Sequence, residues 1–152
     1  MKNIKRFTGA AFVGAVALGG FAAPGDAHHS FAMYDRGKTE TLTGRLSRFV
    51  PGANHAQLHF ELIDANGEPV LDDNGKPVTW GVETGPAAMI ARQGVTVDAF
   101  PLGTIITVSL NPLRDGRPFG VLADGGIVKC GTALPDGGCT PDTGELFMPA
   151  NN

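Results

Sequence analysis

Residues 41–47, Thr-Leu-Thr-Gly-Arg-Leu-Ser, alternate small or apolar side chains with polar ones. In an extended chain, Leu42, Gly44 and Leu46 point to one side and the intervening residues point to the other. A period of two is typical of a strand that buries one face. The segment therefore predicts a half-buried β-strand near the start of a folded domain.

The same alternation predicts four further strands. Residues 86–94, between the predicted third and fourth strands, predict one short helix. Pro86 suits a first helical turn and Gly94 suits a helix end. The further strands are expected at residues 55–62, 78–82, 104–110 and 119–128.

Five short strands and a single helix in this order fit a mainly β fold, a small five-stranded Greek-key barrel of the OB type. A β-sandwich of similar size is the alternative. Such folds host many unrelated functions, so the fold does not define the activity. Between the second and third strands, Asn66-Gly67 and Asn74-Gly75 predict two tight turns of type I′ and hence a projecting arm.

The first 27 residues have the organisation of a secretory signal peptide. A basic start precedes an apolar run at 10–21, and the small residues Gly25–Ala27 suit a signal peptidase. The apolar run is shorter than the roughly 20 residues that a membrane span requires. We expect cleavage after Ala27, no stable membrane anchor after cleavage, and a periplasmic or secreted protein that begins at His28.

The charge and the cysteine content of the chain limit which kinds of partner and which cellular compartment the sequence predicts. The chain carries a net charge of −3, and removal of the basic start makes it more acidic, which argues against nucleic acid as a partner. Cys130 and Cys139 are its two cysteines, and an even number in an exported protein favours a disulfide over a metal site. We expect a barrel domain at 28–129 and a loop-rich, disulfide-bonded tail at 130–152.

Histidines at the predicted mature terminus suggest a metal site. A terminal His28 offers its amine and its imidazole to one ion, and His55 or His29 adds a third nitrogen. Tetragonal nitrogen sites suit Cu(II). If the mature chain began at Ala27 instead, His29 would stand third and could complete a square-planar copper or nickel site. The sequence therefore predicts a metal ion or small molecule as ligand, with Cu(II) as the candidate cofactor.

Residues around these histidines leave some assignments open. Asp35 or Glu83 could add an oxygen ligand, although nothing in the sequence places either one at the ion. His59 shares a predicted strand with His55, and four residues of strand span about 13 Å, so we do not expect the two to bind one ion. We interpret His59 as a solvated histidine.

Two other functional classes stay open. A copper-dependent oxidase could use the same terminal site, with Tyr34 as a nearby axial group. A plain ligand- or protein-binding module could use the polar face at Gln57, His59 and Glu61. The chain has no nucleophile motif of a serine hydrolase and no phosphate-binding glycine loop, which favours a binding module over an enzyme.

The chain contains five short motifs, at Ala27–Phe31, Thr41–Gly44, Asn54–Ala56, Ala91–Gly94 and Pro112–Gly116. Together they resemble a family of small exported bacterial proteins that has no assigned function. The resemblance covers roughly residues 27–122, and it implies export and a shared fold but no reaction. Family members usually have Asn-Pro-His followed by an aromatic residue, whereas this chain has Asn54-His55-Ala56 without the proline or the aromatic residue.

Overall fold

The computed structural model describes residues 32–147 of the 152-residue chain. Within that range, no helix is long and apolar enough to cross a membrane. The secondary-structure elements are, in chain order, β1 Glu40–Val50, β2 Gln57–Leu62, β3 Thr79–Glu83, α1 Ala87–Arg92, β4 Ile105–Pro112, β5 Phe119–Lys129 and β6 Glu145–Phe147.

The first five strands form a closed barrel. β1 pairs antiparallel with β2 and β4, β2 pairs with β3, and β4 pairs with β5. A parallel pairing closes the ring, with Gly81 of β3 opposite Phe119 of β5 and Glu83 opposite Val121. This confirms the predicted small five-stranded barrel with a short helix between the third and fourth strands. The ring is closed, so the alternative of two stacked sheets is wrong.

The alternating residues that predicted the strands line the interior of the barrel. Leu46 of β1 is 1 % exposed, and Phe60, which pairs with Trp80, is fully buried. Burial of such side chains is the main favourable term in folding, at about 25 cal/mol per Å² of apolar surface. The central cluster is completed by Leu58, Val82, Phe100, Ile106, Val108, Leu110 and Ile127.

The single helix among the described residues begins and ends slightly inside its predicted range. The pattern of the helix predicts core contacts for Met89 and Ile90, and Ile90 is 5 % exposed and packs on the barrel core. Met89 is 36 % exposed, so that part of the prediction is wrong. The helix has six residues, which is fewer than two turns, and adjacent residues such as Met89 and Ile90 point in different directions around its axis.

The tail folds back onto the barrel. Cys130 and Cys139 form the predicted disulfide, and the hydroxyl of Thr107 in β4 donates to the carbonyl of Cys139 over 2.7 Å. β6, which the sequence did not predict, pairs antiparallel with β5, and the rings of Phe147 and Phe100 meet edge-on at 5.0 Å. Three residues are too short a run to reveal a period of two.

The arm between β2 and β3 contains two similar turns in succession. Asp64 and Asp72 each accept backbone N–H bonds through their carboxylates, and these bonds lower the pKa of both side chains. Gly67 and Gly75 have positive φ, but Asn66 and Asn74 do not. The predicted type I′ geometry is therefore wrong, because it requires positive φ at both central residues.

Gly44 allows β1 to pack closely against β2. A Cβ at this position would lie 2.5 Å from the carbonyl oxygen of Glu61 and 2.6 Å from the ring of Phe60. We expect Gly44→Ala to lower the free energy of unfolding by about 1–3 kcal/mol, as overpacking typically does. Gly131→Ala is the matched control, because a Cβ there meets nothing within 4 Å. Equal urea-denaturation midpoints for the two variants would contradict the close contact.

Candidate functional site

The candidate site lies on the outside of the barrel, where the first described residues pack against the chain between β4 and β5. Tyr34 forms an isolated antiparallel bridge with Leu113. The backbone N–H of Arg114 donates to the carbonyl of Met33 over 2.9 Å, and that of Asp35 donates to the carbonyl of Pro112 over 2.8 Å. These bonds fix Tyr34, which is 2 % exposed, beside the end of β3.

Tyr34, Glu83 and His55 form a series of polar contacts. The phenolic hydroxyl donates to Oε2 of Glu83 over 3.2 Å, and Oε1 of Glu83 lies 3.3 Å from Nδ1 of His55. Nδ1 also lies 3.2 Å from the carbonyl oxygen of Thr84. Carbonyl and carboxylate oxygens accept hydrogen bonds, so Nδ1 is the nitrogen that carries the proton. In the neutral ring, the lone pair is then on Nε2.

The register of β2 and β3 places these groups. Gln57 pairs with Glu83, and both side chains lie on the outer face, while the neighbouring Val82 is fully buried. The pairing continues past the strands, because the N–H of Thr84 donates to the carbonyl of Ala56 over 2.9 Å. His55 is therefore held one residue before this backbone pairing, with its side chain 40 % exposed.

The phenol of Tyr34 has an altered acidity. Burial, followed by the nearby Glu83 carboxylate and its hydrogen bond, raises the pKa of Tyr34 to about 12. The side chain is therefore a neutral donor at any physiological pH. Its hydroxyl holds Glu83, which in turn contacts His55, and this arrangement differs from the axial metal group considered for Tyr34 from the sequence.

A surface cavity of about 340 Å³ adjoins this series of polar contacts. Cavities of this volume are at the lower end of those that hold small ligands. Its wall combines apolar side chains with an amide, a guanidinium and a carboxylate. It is lined by Met33, Tyr34, Gln57, Glu83, Leu113, Arg117 and Phe119.

His59 has a different environment from His55. It is half-buried, its Nε2 lies 3.3 Å from Oε1 of Gln57, and its ring centroid is 6.3 Å from that of Phe119. Burial, with a smaller effect of Arg48, lowers the pKa of His59. The interpretation of His59 as a solvated histidine is therefore wrong, because Phe119 from the neighbouring β5 covers part of the ring.

The remaining site predictions have unequal outcomes. His28 and His29 lie outside the described residues, as does the predicted signal peptide at 1–27, so the three-histidine set stays a prediction. Of the two optional oxygen donors, Glu83 lies beside His55, whereas the carboxylate of Asp35 accepts the backbone N–H of Gly37 at 3.2 Å. Residues 32–147 contain no group of three His, Cys, Asp or Glu side chains arranged for a metal ion.

Sequence reasoning missed Arg117 and Phe119 as parts of the cavity. Arg117 lies in the turn after β4, and Phe119 begins β5, about 60 residues from Gln57 in the chain. Only the closure of β3 against β5 brings them to this face. A period of two could show that Phe119 starts a strand, but it could not show which strand would lie beside it.

The region that contains this site matches a protein-family model. The model of DUF6152, a family of unknown function, matches residues 16–122, which is well over half of the chain. The chain belongs to this family. Membership confirms the sequence-based resemblance to a family without an assigned function. No curated protein and no solved structure matches the chain.

The DUF6152 match includes all three members of the series of polar contacts, Tyr34, His55 and Glu83. It ends inside β5 and does not extend to Cys130 or Cys139. The candidate site is therefore part of the DUF6152 region, and the disulfide-bonded loop lies beyond the matched residues.

Tyr34 is the only tyrosine in the chain, so a tyrosinate titration reports on this site alone. We expect the absorbance at 295 nm to rise near pH 12 in the folded protein and near pH 10 after denaturation. Glu83→Gln should lower the pKa of Tyr34, but the pKa should stay above 10 because burial is the larger cause. A folded-state titration near pH 10 would contradict the burial of the phenol.

The same shift predicts how stability changes at alkaline pH. The folded-state pKa lies above the unfolded one, so the unfolded chain loses its proton first as the pH rises. The contribution of Tyr34 should be fully present below pH 10 and should decline between pH 10 and about 12. Tyr34→Phe should remove this part of the pH dependence, which urea denaturation at a series of pH values would measure.

Proposed function

We propose that the protein is an exported β-barrel module that binds Cu(II) through a mature N-terminal histidine. In this proposal His28 supplies its terminal amine and its imidazole, and His55 supplies the third nitrogen. His29 is the alternative third ligand. The observation that carries the proposal is the Tyr34–Glu83–His55 series, because it connects His55 to the segment that directly follows the two histidines.

Chain length supports this arrangement. His28 precedes Ala32, the first described residue, by four positions, and an extended chain spans at most about 14 Å over that length. Tyr34, two residues further on, is joined to His55 through a single intervening side chain, Glu83. The connecting segment therefore keeps the terminus within about 14 Å of Ala32, which favours a terminus near this end of the barrel.

The hydrogen bonds of His55 also support a role as ligand. A metal-ligating histidine commonly donates its other ring N–H to a carboxylate or a backbone carbonyl, which fixes the tautomer and the orientation of the ring. Nδ1 of His55 has both kinds of acceptor, in Glu83 and Thr84. Nε2 would then be the ligating nitrogen, and an amine with two imidazoles suits a tetragonal Cu(II) ion.

The proposed location is the periplasm or the extracellular space. The disulfide between Cys130 and Cys139 supports it, because structural disulfides form and persist in oxidising compartments. Cu(II) is also the copper state expected under oxidising conditions. The signal-like start of the chain, its disulfide and Cu(II) binding by its histidines are therefore all consistent with the same proposed compartment.

A second candidate is a small-ligand module that needs no metal, and the 340 Å³ cavity favours it. Phe119 and Leu113 offer apolar contact, while Arg117 and Glu83 offer opposite charges. A bound small molecule would be positioned by these polar groups. A copper oxidase has less support, because the buried Tyr34 hydroxyl is engaged with Glu83 rather than directed at a site for an ion.

Cu(II) titration of protein that begins at His28 tests the proposal. We expect about one equivalent to bind, and His55→Ala should weaken binding about tenfold or more because one of three nitrogen ligands is lost. Glu83→Gln should have a smaller effect, since it changes only the support of His55. Isothermal calorimetry would measure the stoichiometry and the affinities of both variants, and electron paramagnetic resonance would count the nitrogen ligands.

Two controls make the result specific. His59→Ala removes a histidine of the same barrel face and should leave Cu(II) affinity unchanged. One extra residue before His28 should weaken binding sharply, because it separates the terminal amine from the imidazole. If His55→Ala and the extended protein both bind as tightly as the parent, the proposed ligand set is wrong. Mass analysis of the exported protein would establish its first residue.

A further inference from the structure

The polar groups in the wall of the 340 Å³ cavity differ in how far their hydrogen bonds are already satisfied. The wall includes the amide of Gln57, the guanidinium of Arg117 and the carboxylate of Glu83. A polar group that loses water without gaining a partner costs free energy. The groups that lack partners within the protein therefore indicate what a ligand in this cavity has to supply.

Gln57 offers mainly its amide N–H groups to the cavity. Its Oε1 lies 3.3 Å from Nε2 of His59, and an amide oxygen only accepts, so the histidine nitrogen is the donor. The amide nitrogen of Gln57 has no hydrogen-bond acceptor among residues 32–147. The side chain is thus held through its oxygen and keeps its two N–H groups for a ligand.

Arg117 is the second source of donors. Its Nε donates to Oδ2 of Asp115 over 2.8 Å, and its backbone N–H donates to Oδ1 over 3.1 Å. These bonds restrain the side chain from one side. The N–H groups on its two terminal nitrogens have no acceptor in the part of the chain that the structure describes. A guanidinium with such N–H groups can bind a carboxylate through two parallel hydrogen bonds.

The carboxylate of Glu83 is already in use. Its Oε2 accepts the hydroxyl of Tyr34, and its Oε1 lies 3.3 Å from Nδ1 of His55. Two groups of the protein therefore contact both of its oxygens and compensate part of its charge. The hydrogen-bonding capacity that remains in the wall is that of donors, which favours a ligand with acceptor oxygens.

The apolar part of the wall includes an aromatic ring that is held in place. The ring of Phe119 lies against Gly81, where a Cβ would be 2.5 Å from it, and its centroid is 6.3 Å from that of His59. Leu113 and the exposed Met33 extend this apolar surface. Aromatic rings pack favourably against other rings and against methionine sulfur. The wall therefore favours a ligand with an aromatic body.

We infer that this cavity binds a small aromatic carboxylate. The carboxylate accepts hydrogen bonds from Arg117 and from the amide of Gln57, and the aromatic body packs on Phe119. Such a site would make the protein a small-ligand module, so the inference rests on that second candidate function and not on a bound metal. The ligand-binding residues are not those of the proposed Cu(II) site, so the two sites can be tested separately.

The test is a titration of the protein with phenylacetate in the presence of EDTA, which keeps copper from binding. Isothermal calorimetry should show about one equivalent bound. We expect Arg117→Gln to weaken binding about tenfold or more, because the carboxylate loses a charged donor. Gln57→Leu and Phe119→Leu should each weaken it about threefold or more, because one removes a donor and the other removes the ring. Unchanged affinity in all three variants would overturn the site.

Two related probes test the ligand class without any change to the protein. Phenylacetamide has the same ring but no charge, and acetate has the charge but no ring. Each should bind about tenfold more weakly than phenylacetate, because one part of the recognition is lost. Equal affinity for phenylacetamide would overturn the carboxylate assignment and leave the small-ligand module in place. Equal affinity for acetate would overturn the aromatic assignment.

Arg92→Gln is the matched control for Arg117→Gln. It removes the same charge from an exposed position in α1 that is not part of the cavity wall. Phenylacetate affinity should change less than about twofold, and a loss equal to that of Arg117→Gln would overturn the site because overall charge would then explain binding. Circular dichroism of each variant would establish that it is folded.

The outcomes for the two sites are distinguishable. Phenylacetate binding that depends on Arg117 in the presence of EDTA supports the cavity site, even if Cu(II) binding fails. If phenylacetate does not bind, the cavity site is wrong, and the Cu(II) proposal is unaffected because the wall of the cavity does not include His55. The side-chain amide resonances of Gln57 should also shift when phenylacetate is added, and unchanged resonances in the presence of bound ligand would place it elsewhere.

Discussion

The parallel contact between β3 and β5 is the constraint on which the rest of the structure depends. It consists of three residue pairs, and it turns a five-stranded sheet into a closed ring. Gly81 makes this contact possible, because a Cβ there would lie 2.5 Å from the ring of Phe119. Closure buries Val82 completely, and the alternation of the strand then directs Glu83 outward. The same contact brings Phe119 beside His59.

Closure also provides a surface for the start of the described chain. The segment before β5 is held against β3, and residues 33–35 bond to the backbone of residues 112–114 there. Tyr34 is thereby buried, and a buried hydroxyl requires a partner, since an unpaired one costs roughly 1–3 kcal/mol. Glu83 is that partner. The phenol in turn restrains the carboxylate. Glu83, which orients His55, is therefore itself held in place by Tyr34.

Features set by local sequence patterns could be predicted from the sequence, whereas features set by pairing between distant residues could not. The five barrel strands, the helix and the barrel followed from alternation and from Pro86 and Gly94, which act within a few residues, whereas β6 did not. The site depends on Tyr34 meeting Glu83 across 49 positions and on His55 meeting Thr84 across 29. No period in the sequence encodes such contacts, because they arise from strand order. Alternation placed His59 on the outer face correctly, but it could not show that Phe119 would cover it.

The family match separates the chain into parts with different physical roles. The DUF6152 region ends at residue 122, within β5, yet Ile127 from the second half of that strand is 1 % exposed in the central core. The loop closed by Cys130 and Cys139 bonds to Thr107 of β4, and β6 continues the sheet beside β5. Residues beyond the matched region therefore stabilise the barrel on the β4–β5 side. The series of polar contacts uses Glu83 of β3, His55 just before β2 and Tyr34 before β1, so none of its members lies in the tail. Changes in the tail should therefore affect stability before they affect the site.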